Sequence, residues 1–93
     1  MAIRFSRAAE ADVLEIFLHG IAEYGPAQAE RYKTRLDGHF QLLSATPEIA
    51  RLRHEITPPV RVYPAQSHVI VYTVLEDRTV LVLRVRHQRE DWA

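Results

Sequence analysis

Residues 68–87 read HVIVYTVLEDRTVLVLRVRH. Two runs rich in β-branched residues, His68 to Leu75 and Thr79 to His87, flank Glu76-Asp77-Arg78, a linker short enough for an antiparallel hairpin. In the second run, alternation puts Arg84 and Arg86 on one face and Leu81, Leu83 and Val85 on the other. Upstream, Arg51 to Ile56 and Val60 to Tyr63 show the same period of two and are expected as further strands.

The first half of the chain has a different period. Ala2 to Phe5 alternates like a short strand, and Ser6 follows in the position of a helix N-cap. Val13, Ile16, Phe17, Ile21 and Tyr24 then recur at helical spacing, with Glu10, Asp12, Glu15, His19 and Glu23 mostly elsewhere on the wheel. Gly25-Pro26 ends this helix and starts the next, because glycine tolerates a positive φ and proline suits a first helical turn. The second helix repeats the stripe with Ala29, Tyr32, Leu36, Phe40 and Leu43 and stops at Thr46-Pro47. The order is therefore β-α-α-β-β-β, or β-α-α-β-β-β-β if the Arg51 segment is counted. Helices followed by strands imply an α+β fold, with a helical hairpin packed on one face of a small antiparallel sheet. Leu81, Leu83 and Val85 are expected to meet the helices, leaving the other sheet face open to a ligand.

Composition narrows the functional classes. Ninety-three residues are expected to form a single domain, 1–93, and 47% hydrophobic with 26% charged residues is ordinary for a globular fold. No repeat, signal-peptide pattern or membrane-length apolar run is present, and cysteine is absent, so a cytoplasmic protein is expected. Twelve basic and twelve acidic residues cancel, which argues against a general nucleic-acid coat. With only three glycines there is no phosphate loop or dinucleotide fingerprint. The histidines lack metal-ligand spacing, so neither a cofactor nor a metal is expected.

Arg84 and Arg86, joined by Arg61 from a neighbouring strand, would form a cationic concavity suited to phosphate or carboxylate. The alternative is that they pair with Glu55, Glu90 and Asp91 at the surface. His87, Arg89, Asp91 and Trp92 crowd the C-terminus, where arginine and tryptophan are favoured anchors for a partner; Trp92 could equally fold back over the core. Eleven of the twelve basic residues are arginine, which fits either selection for bidentate donors or a GC-rich genome.

Taken together, Phe5 to Val13 with Ile16, the break at Tyr24-Gly25, the stop at Thr46-Pro47, Ser67 to Tyr72 and Leu83 to Trp92 resemble the RelE/ParE toxin superfamily, nearer its ParE-like plasmid-stabilisation branch. The resemblance spans nearly the whole chain. It implies the toxin half of a type II toxin-antitoxin module, a helical hairpin on a small antiparallel sheet, and a cognate antitoxin, ParD-like with a ribbon-helix-helix, in a hetero-oligomeric complex. ParE-type members inhibit DNA gyrase and have no established catalytic residues. On that reading Arg61, Arg84, Arg86, His87, Arg89 and Trp92 are candidates for contacts with target or antitoxin. RelE-type members instead cut messenger RNA on the ribosome. In that alternative Glu55 or His87 would take the 2′-hydroxyl proton while Arg61 and Arg84 stabilise the phosphorane. The neutral charge, the single lysine (Lys33) and the C-terminal motif favour gyrase. A third reading, a binding-only module without toxicity, predicts that expression without antitoxin leaves growth unaffected.

Overall fold

In the computed structural model, which describes residues 2–89, the chain forms β1 (Ile3–Phe5), α1 (Arg7–Tyr24), α2 (Pro26–Ala45), β2 (Leu52–Arg53), β3 (Val60–Ala65), β4 (His68–Val74) and β5 (Val80–His87). Ser6 caps α1, its Oγ accepting from the Ala9 N–H at 3.0 Å. Gly25 takes φ 87°, a conformation other residues rarely adopt, and its N–H closes α1 on the Ile21 carbonyl before Pro26 starts α2. The two helices meet at small residues: a Cβ at Gly20 would lie 3.3 Å from that of Ala29.

The five strands form one sheet in the order β1-β5-β4-β3-β2. Four make the expected antiparallel part, and β1 adds to it in parallel beside β5. Two strand expectations need correction. Only Leu52–Arg53 of the Arg51 to Ile56 segment is a strand, because the chain turns after it, the Ile56 N–H reaching back to the Arg53 carbonyl. Conversely, β3 runs on through Pro64 to Ala65. β2 pairs only with Val60 and Arg61, so Pro64 sits where β3 is an edge and its missing N–H breaks no ladder.

A bulge in β5 changes which side chains meet the helices. Val71 pairs with Arg84 but Tyr72 pairs with Val82, leaving Leu83 as the extra residue. Parity therefore shifts: Val80, Val82 and Val85 join Leu36, Phe40, Leu43, Ile70 and Tyr72 in the main core, with Val13 and Ile16 packed against it. The expectation that Leu81 and Leu83 face the helices fails for this reason. Leu83 instead packs on the far side with Val60, Val62, Val69, Val71 and Ile56. The far face is thus not simply open; it has a small apolar layer of its own.

Tyr72 crosses the main core to donate to the Pro47 carbonyl at 2.7 Å. Tyr72→Phe strands that buried acceptor and is expected to cost about 1–2 kcal/mol. Equilibrium urea unfolding should show a lower midpoint with an unchanged slope.

Candidate functional site

β1 covers only Val80–Val82 of β5, so from Leu83 onward this edge needs other partners. The start of α1 supplies them. The Ser6 hydroxyl donates to the Leu83 carbonyl at 2.8 Å, and the Val85 N–H donates to Asp12 Oδ2 at 2.9 Å. Asp12 also accepts two bonds from Arg84, Nε at 2.8 Å and Nη2 at 3.0 Å. Its side chain is 13% exposed, against 44% for Arg84. Burial pushes the Asp12 carboxyl upward, but the Arg84 and Val85 hydrogen bonds and the positive charges of Arg84 and Arg86 outweigh it and hold the group below its ordinary 3.8.

Beyond this edge, the helical hairpin and the ends of β4 and β5 enclose a cleft of about 710 Å³. Val13, Ile16, Leu36 and Val85 contribute its apolar lining, and Tyr32, His68, Arg86 and His87 its polar groups. The Tyr32 oxygen lies 2.6 Å from His68 Nδ1 and accepts the Ser67 N–H at 3.2 Å. Burial raises the Tyr32 pKa above 10.0, partly offset by those contacts with Ser67, so its hydroxyl stays protonated at neutral pH. His68 and His87 are paired across the strands with ring centroids 5.3 Å apart. His87 Nδ1 accepts from the Arg89 N–H at 3.2 Å, which puts the proton of the neutral ring on Nε2. Such a surface can bind a segment that is apolar on one side and acidic on the other.

The proposed cationic concavity is split. Arg84 and Arg86 pair with Val71 and Val69 and so leave β5 on the far side by register, but at its uncovered edge, where Arg84 reaches Asp12 and Arg86 lines the cleft; Arg61 pairs with Tyr72 on the helix face. There Arg61 donates to the Ala50 carbonyl beyond α2. Glu55 is exposed in the β2–β3 loop beside Arg51, their ion-pair atoms 3.5 Å apart. Glu55, Arg61, Arg84 and His87 therefore do not form one site: Arg61 is on the opposite sheet face from Arg84 and two strands away. Arg84 pairs with Asp12, where the surface alternative named Glu55, Glu90 and Asp91. Arg89 is exposed in the turn after β5, while Trp92, Glu90 and Asp91 lie outside the described residues. Asp12, Tyr32 and His68 were not expected at a site. Asp12 could have been noticed as a carboxylate one turn inside a helix start, but Tyr32 read as part of an apolar stripe.

Among the described residues no group of three or more His, Cys, Asp or Glu is placed to hold a metal ion, and no helix is long and apolar enough to cross a membrane.

The family model for the ParE toxin of the type II toxin-antitoxin system parDE matches residues 3–92. The chain belongs to the ParE toxin family. Two curated relatives, Toxin ParE1 of Mycobacterium tuberculosis strains CDC 1551 / Oshkosh and ATCC 25618 / H37Rv, are each 38% identical over 86 residues, which is 92% of this chain and 88% of theirs. A solved structure from the chromosomal ParDE toxin-antitoxin system of P. aeruginosa has the same fold, with TM-score 0.80 at 20% identity over 94% of this chain and 95% of that one. In this ParE toxin the two ends of the family-like sequence prove to be neighbours: Ser6 and Asp12 hold Leu83, Arg84 and Val85. Ser6 and Leu83, 77 residues apart in the chain, thus belong to one structural unit.

Proposed function

We propose that this ParE toxin inhibits DNA gyrase by binding it, with no bond-breaking chemistry of its own, and that a ParD-like ribbon-helix-helix antitoxin neutralises it in a hetero-oligomeric complex. The observation that carries the reading is the dispersal of the acid-base set. Arg61 is committed to the Ala50 carbonyl on the helix side of β3 and Arg84, two strands away and of opposite register, to Asp12 at the β5 edge, so the two cations a phosphorane would need do not converge. Membership of the ParE family supports the same choice.

For the antitoxin, the cleft offers the chemistry to receive an amphipathic segment. Val13, Ile16 and Leu36 would take its apolar side, and Arg86 with His87 its acidic groups, while Arg89 and Trp92 remain candidates for contact with either partner. The gyrase target accounts for a neutral toxin: it requires docking to a protein rather than neutralising an RNA backbone.

The test is a supercoiling assay. The purified toxin is expected to inhibit gyrase and raise the amount of trapped, cleaved DNA, and equimolar antitoxin to restore supercoiling. Undiminished supercoiling with toxin in excess over gyrase would count against the target.

A further inference from the structure

The helix-side row of the β4–β5 ladder is apolar until its end. Val74 with Val80, Tyr72 with Val82 and Ile70 with Val85 are followed by His68 with His87. Two half-buried imidazoles thus take the places that would continue the core, and they open on the cleft. Tyr32 of α2 lies against this pair, its ring 5.6 Å from that of His68.

Each imidazole has its Nδ1 held by a donor, and the two donors differ. At His87 it is the backbone N–H of Arg89, which can only donate. At His68 it is the Tyr32 hydroxyl, 2.6 Å away. Tyr32 keeps its proton at neutral pH and its oxygen accepts the Ser67 N–H, so the hydroxyl hydrogen is the one shared with His68. A hydroxyl oxygen has a second lone pair. When His68 Nδ1 gains a proton the bond reverses: Nδ1–H donates to the Tyr32 oxygen, and the hydroxyl hydrogen turns to another acceptor. His68 can therefore be charged with this bond kept, whereas protonating His87 Nδ1 sets it against a backbone N–H.

The surroundings decide what would drive that step. On the cleft wall α2 contributes Arg31, Lys33 and Arg35, and β5 contributes Arg86. α1 contributes His19 and two acids, Asp12, which Arg84 already binds, and Glu15 on the exposed rim. Among the described residues cations thus outnumber acids around the pair, so a further positive charge on His68 calls for an anion from outside. We propose that His68 is a proton-linked carboxylate site: an acidic side chain of the antitoxin binds its imidazolium, with Tyr32 holding the Nδ1–H, and complex formation draws a proton from solvent. This rests on the reading that the antitoxin occupies the cleft. Only the proton on Nδ1 is gained, and His87 stays neutral beside it. The antitoxin therefore holds the toxin more tightly as pH falls through the ordinary histidine range, about 6.5, and more loosely as pH rises.

Calorimetry on full-length toxin with antitoxin, in buffers of different ionisation enthalpy, counts the protons. With an affinity that differs about tenfold between the charged and the neutral ring, the parent pair is expected to take up about half a proton near pH 7 and to bind about fivefold more tightly at pH 6 than at pH 8. His68→Gln and Tyr32→Phe, each with its thermal midpoint checked against the parent, should both flatten this dependence to within about twofold. Absence of proton uptake by the parent pair overturns the proposal, and so does a folded His68→Gln toxin that keeps the parent's pH dependence. Imidazole resonances at pH 8 separate this failure from that of the cleft itself. If the His68 and His87 signals move when antitoxin is added but the pH dependence does not follow His68, the cleft is occupied and the proton link is wrong. If neither signal moves, the cleft reading fails and the carboxylate site with it.

Discussion

Phe40→Ala is expected to lower the unfolding free energy by about 3–5 kcal/mol, the usual cost of emptying a large aromatic site in a packed core. Phe40 is 5% exposed and belongs to the cluster shared by α2, β4 and β5. Its ring meets that of Phe5 edge to face, with centroids 4.8 Å apart. Truncation would therefore remove the main aromatic contact of a strand only three residues long. Total stabilities of small domains are about 5–15 kcal/mol, so much of the fold's margin disappears. Urea unfolding measures it. Phe17→Ala is the internal comparison: Phe17 is only half-buried and lies outside the core cluster, so its loss should be much smaller. Equal losses at the two positions would contradict this placement of the helical stripe.

Asp12→Ala is expected to cost about 2–3 kcal/mol. The carboxylate accepts from the Val85 N–H and from two Arg84 nitrogens, and its removal leaves an edge amide without a partner. Arg84 is exposed enough for water to compensate part of its loss, so the amide carries most of the effect. A pH series isolates the charge. The folded-state pKa of Asp12 is depressed, so its contribution is present above the ordinary 3.8 and is lost as pH falls below it through the folded value. Glu48, Glu55 and Asp77 are also depressed, by their own hydrogen bonds. The informative quantity is therefore the stability difference between parent and Asp12→Asn, which should narrow only at acid pH. A difference that is constant from pH 7 to pH 3 would mean that the carboxylate's charge is not what holds the edge.

The elements with strong local chemistry could be read from the sequence. Ser6, Gly25-Pro26 and Thr46-Pro47 mark helix ends because each restricts the backbone or supplies a cap where it stands. Faces in the sheet were harder. Val60 and Val62 look as suited to the main core as Tyr63 and Ala65, since both sides of β3 are apolar. The side Arg61 takes is settled only by its pairing with Tyr72. In β5 alternation alone predicts Leu81, Leu83 and Val85 on one face, and one extra residue at Leu83 reverses the first two. Such a bulge depends on contacts from Ser6, far away in sequence. The Asp12–Arg84 pair was hidden for the same reason, and so was the meeting of Tyr32 with His68, which needs α2 laid across the end of β4.

The proposed binding of gyrase by this ParE toxin, in place of RNA cleavage, can be tested on both targets at once. One preparation of purified toxin is assayed at matched concentrations on DNA gyrase and on ribosomes translating a defined messenger. Inhibited supercoiling and trapped, cleaved DNA are expected, with the messenger intact. Messenger cleavage at low toxin concentration that is abolished by His87→Ala, with supercoiling unaffected, would contradict it.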